Sequence, residues 1–209
     1  MQTSIEVVTE AKDISLITLH DAKLGLNMVA TTSDDQVELM IKWASAEIAK
    51  MCNRTLAQET VIETIMDLEG SRIYLSHYPV KSIDEVSEAG TVLTPGIDYN
   101  LEKATGKLSR SGGAFWGLPI VIKYTGGYDL PQKAPPDLAS AVLLVTREAF
   151  HAATRGDASI RMITHKQSRI MFFDPNAAAA KASSGAASAG TAARRAITDL
   201  LKRYTRFEV

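Results

Sequence analysis

Apolar and polar positions follow two rhythms along this chain, and the switch between them divides it into parts. Val37, Met40, Ile41, Ala44, Ile48 and Cys52 recur at i, i+3, i+4 and i+7 spacing, the stripe of a helix that lays one face on a core. Ser33-Asp-Asp-Gln36 opens this stretch as a capping box, with acids in the first turn where the helix dipole favours them. Asn53-Arg-Thr55 closes it, so a helix is predicted over 34–53. A second stripe holds Leu138, Ala141, Val142, Val145, Ala149 and Ala152. Pro135-Pro136-Asp137 precedes it with a proline suited to a first turn, and Arg155-Gly156-Asp157 stops it, giving a helix over 136–154. A shorter stripe of Leu19, Ala22 and Leu26 follows Thr18-Leu-His-Asp21, a capping box with Asp in place of Glu or Gln, and predicts a helix over 18–28.

Between the second and third helices the period shortens to two. Alternating runs broken by Pro and Gly predict strands at 60–66, 72–75, 80–86, 99–101, 107–109 and 120–124. Glu88-Ala-Gly90 and Thr94-Pro-Gly96 supply turn formers between them. A β-rich insert over 60–128 therefore separates two helices of one domain. Gly112-Gly-Ala-Phe-Trp-Gly117 is its most glycine-dense patch. It fails as a phosphate loop, because no Gly-Lys-Ser/Thr follows and no helix begins there, and it reads as an exposed hairpin tip. Phe115 and Trp116 on that tip read equally as a contact surface or as core packing.

The expected fold class is α+β: a small helical bundle with an inserted, hairpin-rich β subdomain and a C-terminal helical arm. The stripes at Val37, Ile41, Ala44 and Ile48 should meet those at Leu138, Val142, Val145 and Ala149. Residues 1–155 make the core unit and 156–209 a basic appendage. Within the appendage 160–173 is basic without a clear period, and 177–190 is Ala/Ser/Gly-rich, the composition of a flexible tether. Beyond the tether, Ile197, Leu200, Leu201 and Tyr204 line one face of a helix whose other positions hold Arg194, Arg195, Lys202, Arg203 and Arg206. A helix that short is marginal alone in water, so the arm should dock.

Charge sharpens this picture. Residues 1–70 carry twelve acids against five bases, a net of −7, while residues 155–209 carry ten bases against four acids, a net of +6. Such polarity suits head-to-tail association between subunits or unlike partners, and equally describes two solvated faces. At 209 residues the chain can bury a real core. No apolar run reaches the ~20 residues of a membrane helix, and no basic-then-apolar signal pattern opens the chain. Cys52 is the single cysteine, so no internal disulfide forms and a cytosolic compartment is the default.

Chemistry is sparse. His20, His77, His151 and His165 are scattered without metal-ligand spacing, and no Gly-x-Ser-x-Gly elbow occurs. Asp34 and Asp35 are explained as cap and first-turn acids. Cys52 sits on an apolar stripe as a small hydrophobe. The residues describe a building block and not an enzyme, with no cofactor and no metal expected.

The ordered pieces resemble a known family. Ile17-Thr-Leu-His-Asp-Ala-Lys23-Leu-Gly-Leu26 looks like its first helix; Asp34-Asp35 with Leu39-Met-Ile41, Ala44, Ala46 and Cys52-Asn-Arg-Thr-Leu56 looks like its second. Pro79-Val80-x-Ser82-Ile83-x-x-Val86, Tyr99-Asn-Leu101, Ile120-Val-Ile-Lys-Tyr-Thr-Gly-Gly-Tyr128 and Pro136-x-Leu138-x-x-Ala141 complete the order. Over about 17–152 this is similar to the head–tail connector (adaptor) proteins of long-tailed bacteriophages and gene transfer particles. Leu26-Asn27-Met28 stands where that family often has Leu-Arg-Val, and the tether is long for it. The resemblance implies a structural virion protein in the neck, assembled in the host cytoplasm. It implies a homo-oligomeric ring, dodecameric in the particle, that binds the portal protein and a tail-completion or stopper protein. DNA would pass through the channel without specific binding, and no membrane is involved. On that reading Ile197, Leu200, Leu201 and Tyr204, flanked by the five cations, dock on the portal or an adjacent subunit, and the Phe115–Trp116 tip makes contacts. The alternative is a nucleic-acid-binding accessory protein that uses the basic arm against phosphate.

Overall fold

The computed structural model describes residues 2–28, 34–68, 70–154, 162–165, 168–171, 195 and 197–206. The chain opens with β1 (Gln2–Thr9), then α1 (Leu19–Leu26) and α2 (Asp34–Met51). The insert holds β2 (Glu59–Asp67), β3 (Arg72–Tyr74), β4 (Val80–Glu88), β5 (Thr91–Val92), β6 (Tyr99–Glu102), β7 (Lys107–Arg110) and β8 (Ile120–Gly126). Then come α3 (Pro136–Thr154), β9 (Met162–His165) and β10 (Ser168–Met171), and residues 197–201 are helical. The class is α+β. The tether at 177–190 and Arg194 lie outside the described residues.

The helix ends have local causes. The Thr18 hydroxyl accepts the Asp21 N–H at 3.1 Å and caps α1. Asn27, at φ 56°, closes α1 in the left-handed conformation, with its N–H on the Leu24 carbonyl. Asn53, at φ 52°, does the same work two residues beyond α2, which stops at Met51 rather than at 53.

Two cores result. In the helical one, Val37, Ile41, Ala44 and Ile48 of α2 are buried with Leu138 and Val142 of α3, as the stripes require, and Val145 packs half-buried against them. Ala149 is half-buried at the margin. In the second, two antiparallel sheets close on each other, a five-stranded one ordered β1-β2-β8-β4-β5 and a three-stranded one ordered β3-β7-β6. Strand β8 alternates strictly, burying Ile120, Ile122, Tyr124 and Gly126. Across it Val61 and Ile65 of β2 and Val86 of β4 share that inward face, and Ile73, Leu75 and Leu108 cover it. The insert is therefore two facing sheets with a core of its own, more than a set of hairpins.

Strand β1 was not expected. It pairs antiparallel with β2 from Gln2↔Asp67 to Thr9↔Thr60, and residues 4–10 are all exposed. With neither face covered, no alternation marks it in the sequence. Gly126 and Gly127 join the cores. A Cβ on Gly126 would lie 2.0 Å from the His77 carbonyl oxygen, and Gly127, at φ 102°, packs its Cα against the Ala57 carbonyl.

Candidate functional site

Polar groups collect where the two cores meet. Glu63 takes an inward position of β2 between Val61 and Ile65 and is fully buried. Its carboxylate accepts the Ser76 N–H at 3.1 Å, the Ser76 hydroxyl at 2.9 Å and the Tyr124 hydroxyl at 2.7 Å. The Tyr124 oxygen in turn accepts the His77 N–H at 3.0 Å. Three donors on one carboxylate satisfy what would otherwise be a costly buried charge. Burial, with the Glu63 charge second, pushes the Tyr124 phenol well above its ordinary range. His77 places Nε2 3.2 Å from Glu59, yet burial outweighs that neighbour and holds the imidazole below its ordinary pKa.

Beside this network Arg54, itself buried, lays its guanidinium 3.6 Å from the Tyr78 ring centroid and donates to the Tyr78 carbonyl. Tyr128 flanks it at 5.9 Å. The Cys52 carbonyl accepts the Arg206 N–H at 2.9 Å, which brings the end of the chain to the end of α2. Burial raises the Cys52 thiol above its usual value, so it stays protonated. Neither of two surface depressions, of about 420 and 280 Å³, is lined by Glu63, His77 or Tyr124. The network ties β2 and β8 to the connection that follows β3. Among the described residues no three His, Cys, Asp or Glu group as a metal site, and no helix is long and apolar enough to cross a membrane.

The loop tip splits its two aromatics. Phe115 is 81 % exposed, as a contact residue must be. Trp116, open equally to contact or core packing and placed with Phe115 on the contact surface by the resemblance, is buried in the β core and is no exposed contact. Its indole N–H donates to the Ser71 carbonyl at 2.9 Å, and the Arg110 guanidinium stands 5.8 Å from its ring. Arg110 is held at 2.7 Å by Glu88, which also accepts the Gly117 N–H. The Trp116 anchor thus fixes a tip on which Phe115 points to solvent.

The arm is also divided. Ile197 and Leu201 are buried as part of the helical core, and Tyr204 packs half-buried against it. Tyr204 donates to Asp137 at the start of α3, 3.4 Å away, and Arg203 reaches the same carboxylate at 3.5 Å. The apolar stripe expected to meet a partner is thus filled by the chain's own helices, because burying it there ends the exposure that a tethered helix would suffer. Leu200 and Arg206 are half-buried, while Arg195, Lys202 and Arg203 face outward. Lys202 pairs with Asp199 at 2.7 Å.

Reading by period overlooked Glu63, Arg54 and the outer face of α2. There Leu39 and Trp43 are 68 % and 57 % exposed, one turn apart. The available signals were an acid in an inward strand position and a Trp four residues after a Leu on the polar side of a helix.

The family model of the head completion protein matches residues 15–153, which span both cores. The chain belongs to the head completion protein family. No curated protein matches it. Solved structures share its fold along nearly its whole length. The neck of a native gene transfer agent particle computed with C12 symmetry contains a chain 16 % identical, at TM-score 0.57, covering 99 % of this chain and 97 % of that one. The neck of the empty particle computed with C6 symmetry gives 15 %, 0.58, 99 % and 97 %. The native virion gives 15 %, 0.60, 98 % and 96 %. Those likenesses, at low identity, show a shared fold that takes in residues on both sides of the family match.

Proposed function

We propose that this head completion protein is a structural subunit of the head–tail neck of a phage-like particle. Copies form a closed ring that joins the portal to the tail-completion proteins and continues the DNA channel. The observation that carries the reading is family membership over 15–153, together with a fold shared end to end with neck chains. Symmetry of order twelve in one of those necks supports a ring of twelve here. A ring needs two different, complementary patches on each subunit. Phe115, and Leu39 with Trp43, are exposed candidates for such contacts. Pairing of Lys202 with Asp199 and of Arg203 with Asp137 takes two of the arm's five cations from the nucleic-acid reading.

Particles assembled without the chain should be heads that lack tails. A gold label on the chain should mark the head–tail junction by electron microscopy. Tailed particles at normal yield without the chain would remove the proposal.

A further inference from the structure

The five-stranded sheet has unequal edges. At one end β5 is two residues long, too short to recruit another strand. At the other, β1 presents an outer edge eight residues long that no described strand pairs. Ile5, Val7 and Val8 on it are 43–48 % exposed. By register Ile5 lies opposite Glu63 and Val7 opposite Val61, so these two extend the inward face of the sheet past its cover. A long, apolar, open edge is a template for another strand.

The same chain holds a matching element. Among the described residues, strands β9 and β10 pair only with each other, His165↔Ser168 through Met162↔Met171. A two-stranded ribbon is marginal by itself in water and gains by joining a larger sheet. The sequences are complementary in charge. Residues 1–10 carry Glu6 and Glu10 with no Lys or Arg, and residues 161–171 carry Arg161, Lys166 and Arg169 with no acid.

We propose that the β9–β10 ribbon of one subunit adds to the β1 edge of its neighbour, so that the sheet continues across each subunit boundary. This rests on the ring reading above and supplies its two unlike patches. Main-chain hydrogen bonds would give the affinity, and the opposed charges would set which element meets which. The join is head-to-tail, so it repeats from subunit to subunit rather than stopping at a pair, and closes a ring where the rotation per subunit returns to its start.

The test uses the full chain in assembled particles, on a Cys52→Ala background. Glu6→Cys is combined in turn with Thr164→Cys and with Arg169→Cys, one on each strand of the ribbon, and treated with a short bis-maleimide. At least one double variant should give a ladder of covalent oligomers beyond the dimer, while each single variant stops at monomer or dimer. In the unmodified chain, alternate amides of residues 3–9 should exchange more slowly in the ring than in the monomer. A cross-link confined to one chain would mean that the ribbon folds on its own β1, and overturns the proposal. No thiol ladder, with a full ladder from an amine cross-linker, leaves the ring standing and removes this interface. If the amine cross-linker gives no ladder either, the ring reading falls too.

Discussion

Removing the Tyr124 hydroxyl takes one donor from Glu63 and the acceptor from the His77 amide, with no change in the shape of the core. Tyr124→Phe should therefore cost about 1–3 kcal/mol, the range for leaving buried polar partners unsatisfied, read as a lower urea midpoint at unchanged slope. His77 adds a pH dependence. Its folded pKa lies below its ordinary value because burial disfavours the cation, so the unfolded chain binds the proton first as pH falls. Stability should be full above the ordinary imidazole range and fall as pH drops from about 6.5 through the lowered folded value. His77→Gln should flatten that part of the profile; an equally steep fall in the variant would assign the proton elsewhere. The network was only partly legible in the sequence. An acid at position 63 breaks the Val61–Ile65 alternation, but its donors come from 13 and 61 positions away and leave no local pattern.

At the scale of elements, α2 and α3 were legible because each lays one continuous stripe on the other, and burial imposes the period it needs. The inner strands followed for the same reason. β1 did not, since an edge strand bare on both faces feels no such constraint. Phe115 and Trp116 could not be told apart, because adjacent loop residues share composition and the carbonyl that draws Trp116 inward, that of Ser71, lies 45 positions away. The Thr125-Gly-Gly-Tyr128 run is a join that tolerates no side chain: at Gly126 the obstacle is backbone, the His77 carbonyl. Gly126→Ala should cost about 1–3 kcal/mol or more by overpacking. Gly117→Ala, which meets the Glu88 side chain at 3.2 Å and no backbone, should cost less. Equal midpoints for the two variants would show that the β8 end yields freely.

At the scale of the whole molecule, the arm has two faces with separable roles. Its inward face belongs to the fold. Ile197 and Leu201 are each worth roughly 1.5–3 kcal/mol when fully buried, an upper estimate given a compact unfolded chain. Deleting residues 195–209 should accordingly lower the stability of the remaining domain by several kcal/mol and open the helical core, instead of leaving an intact domain that lacks only a docking signal. Its outward face is basic. Charge reversal there, as Arg195→Glu with Lys202→Glu, touches no buried side chain and should shift the unfolding midpoint little, since exposed pairs contribute at most ~1 kcal/mol. If the basic face steers the subunit onto an acidic partner, the same double variant should slow incorporation into particles most at low salt, where charges act over the longest range. Unfolding midpoints and incorporation measured side by side on the two variants separate the roles. A truncated chain as stable as the full one would return the apolar stripe to the partner, and normal incorporation of the charge-reversed chain would leave the arm with packing as its single task.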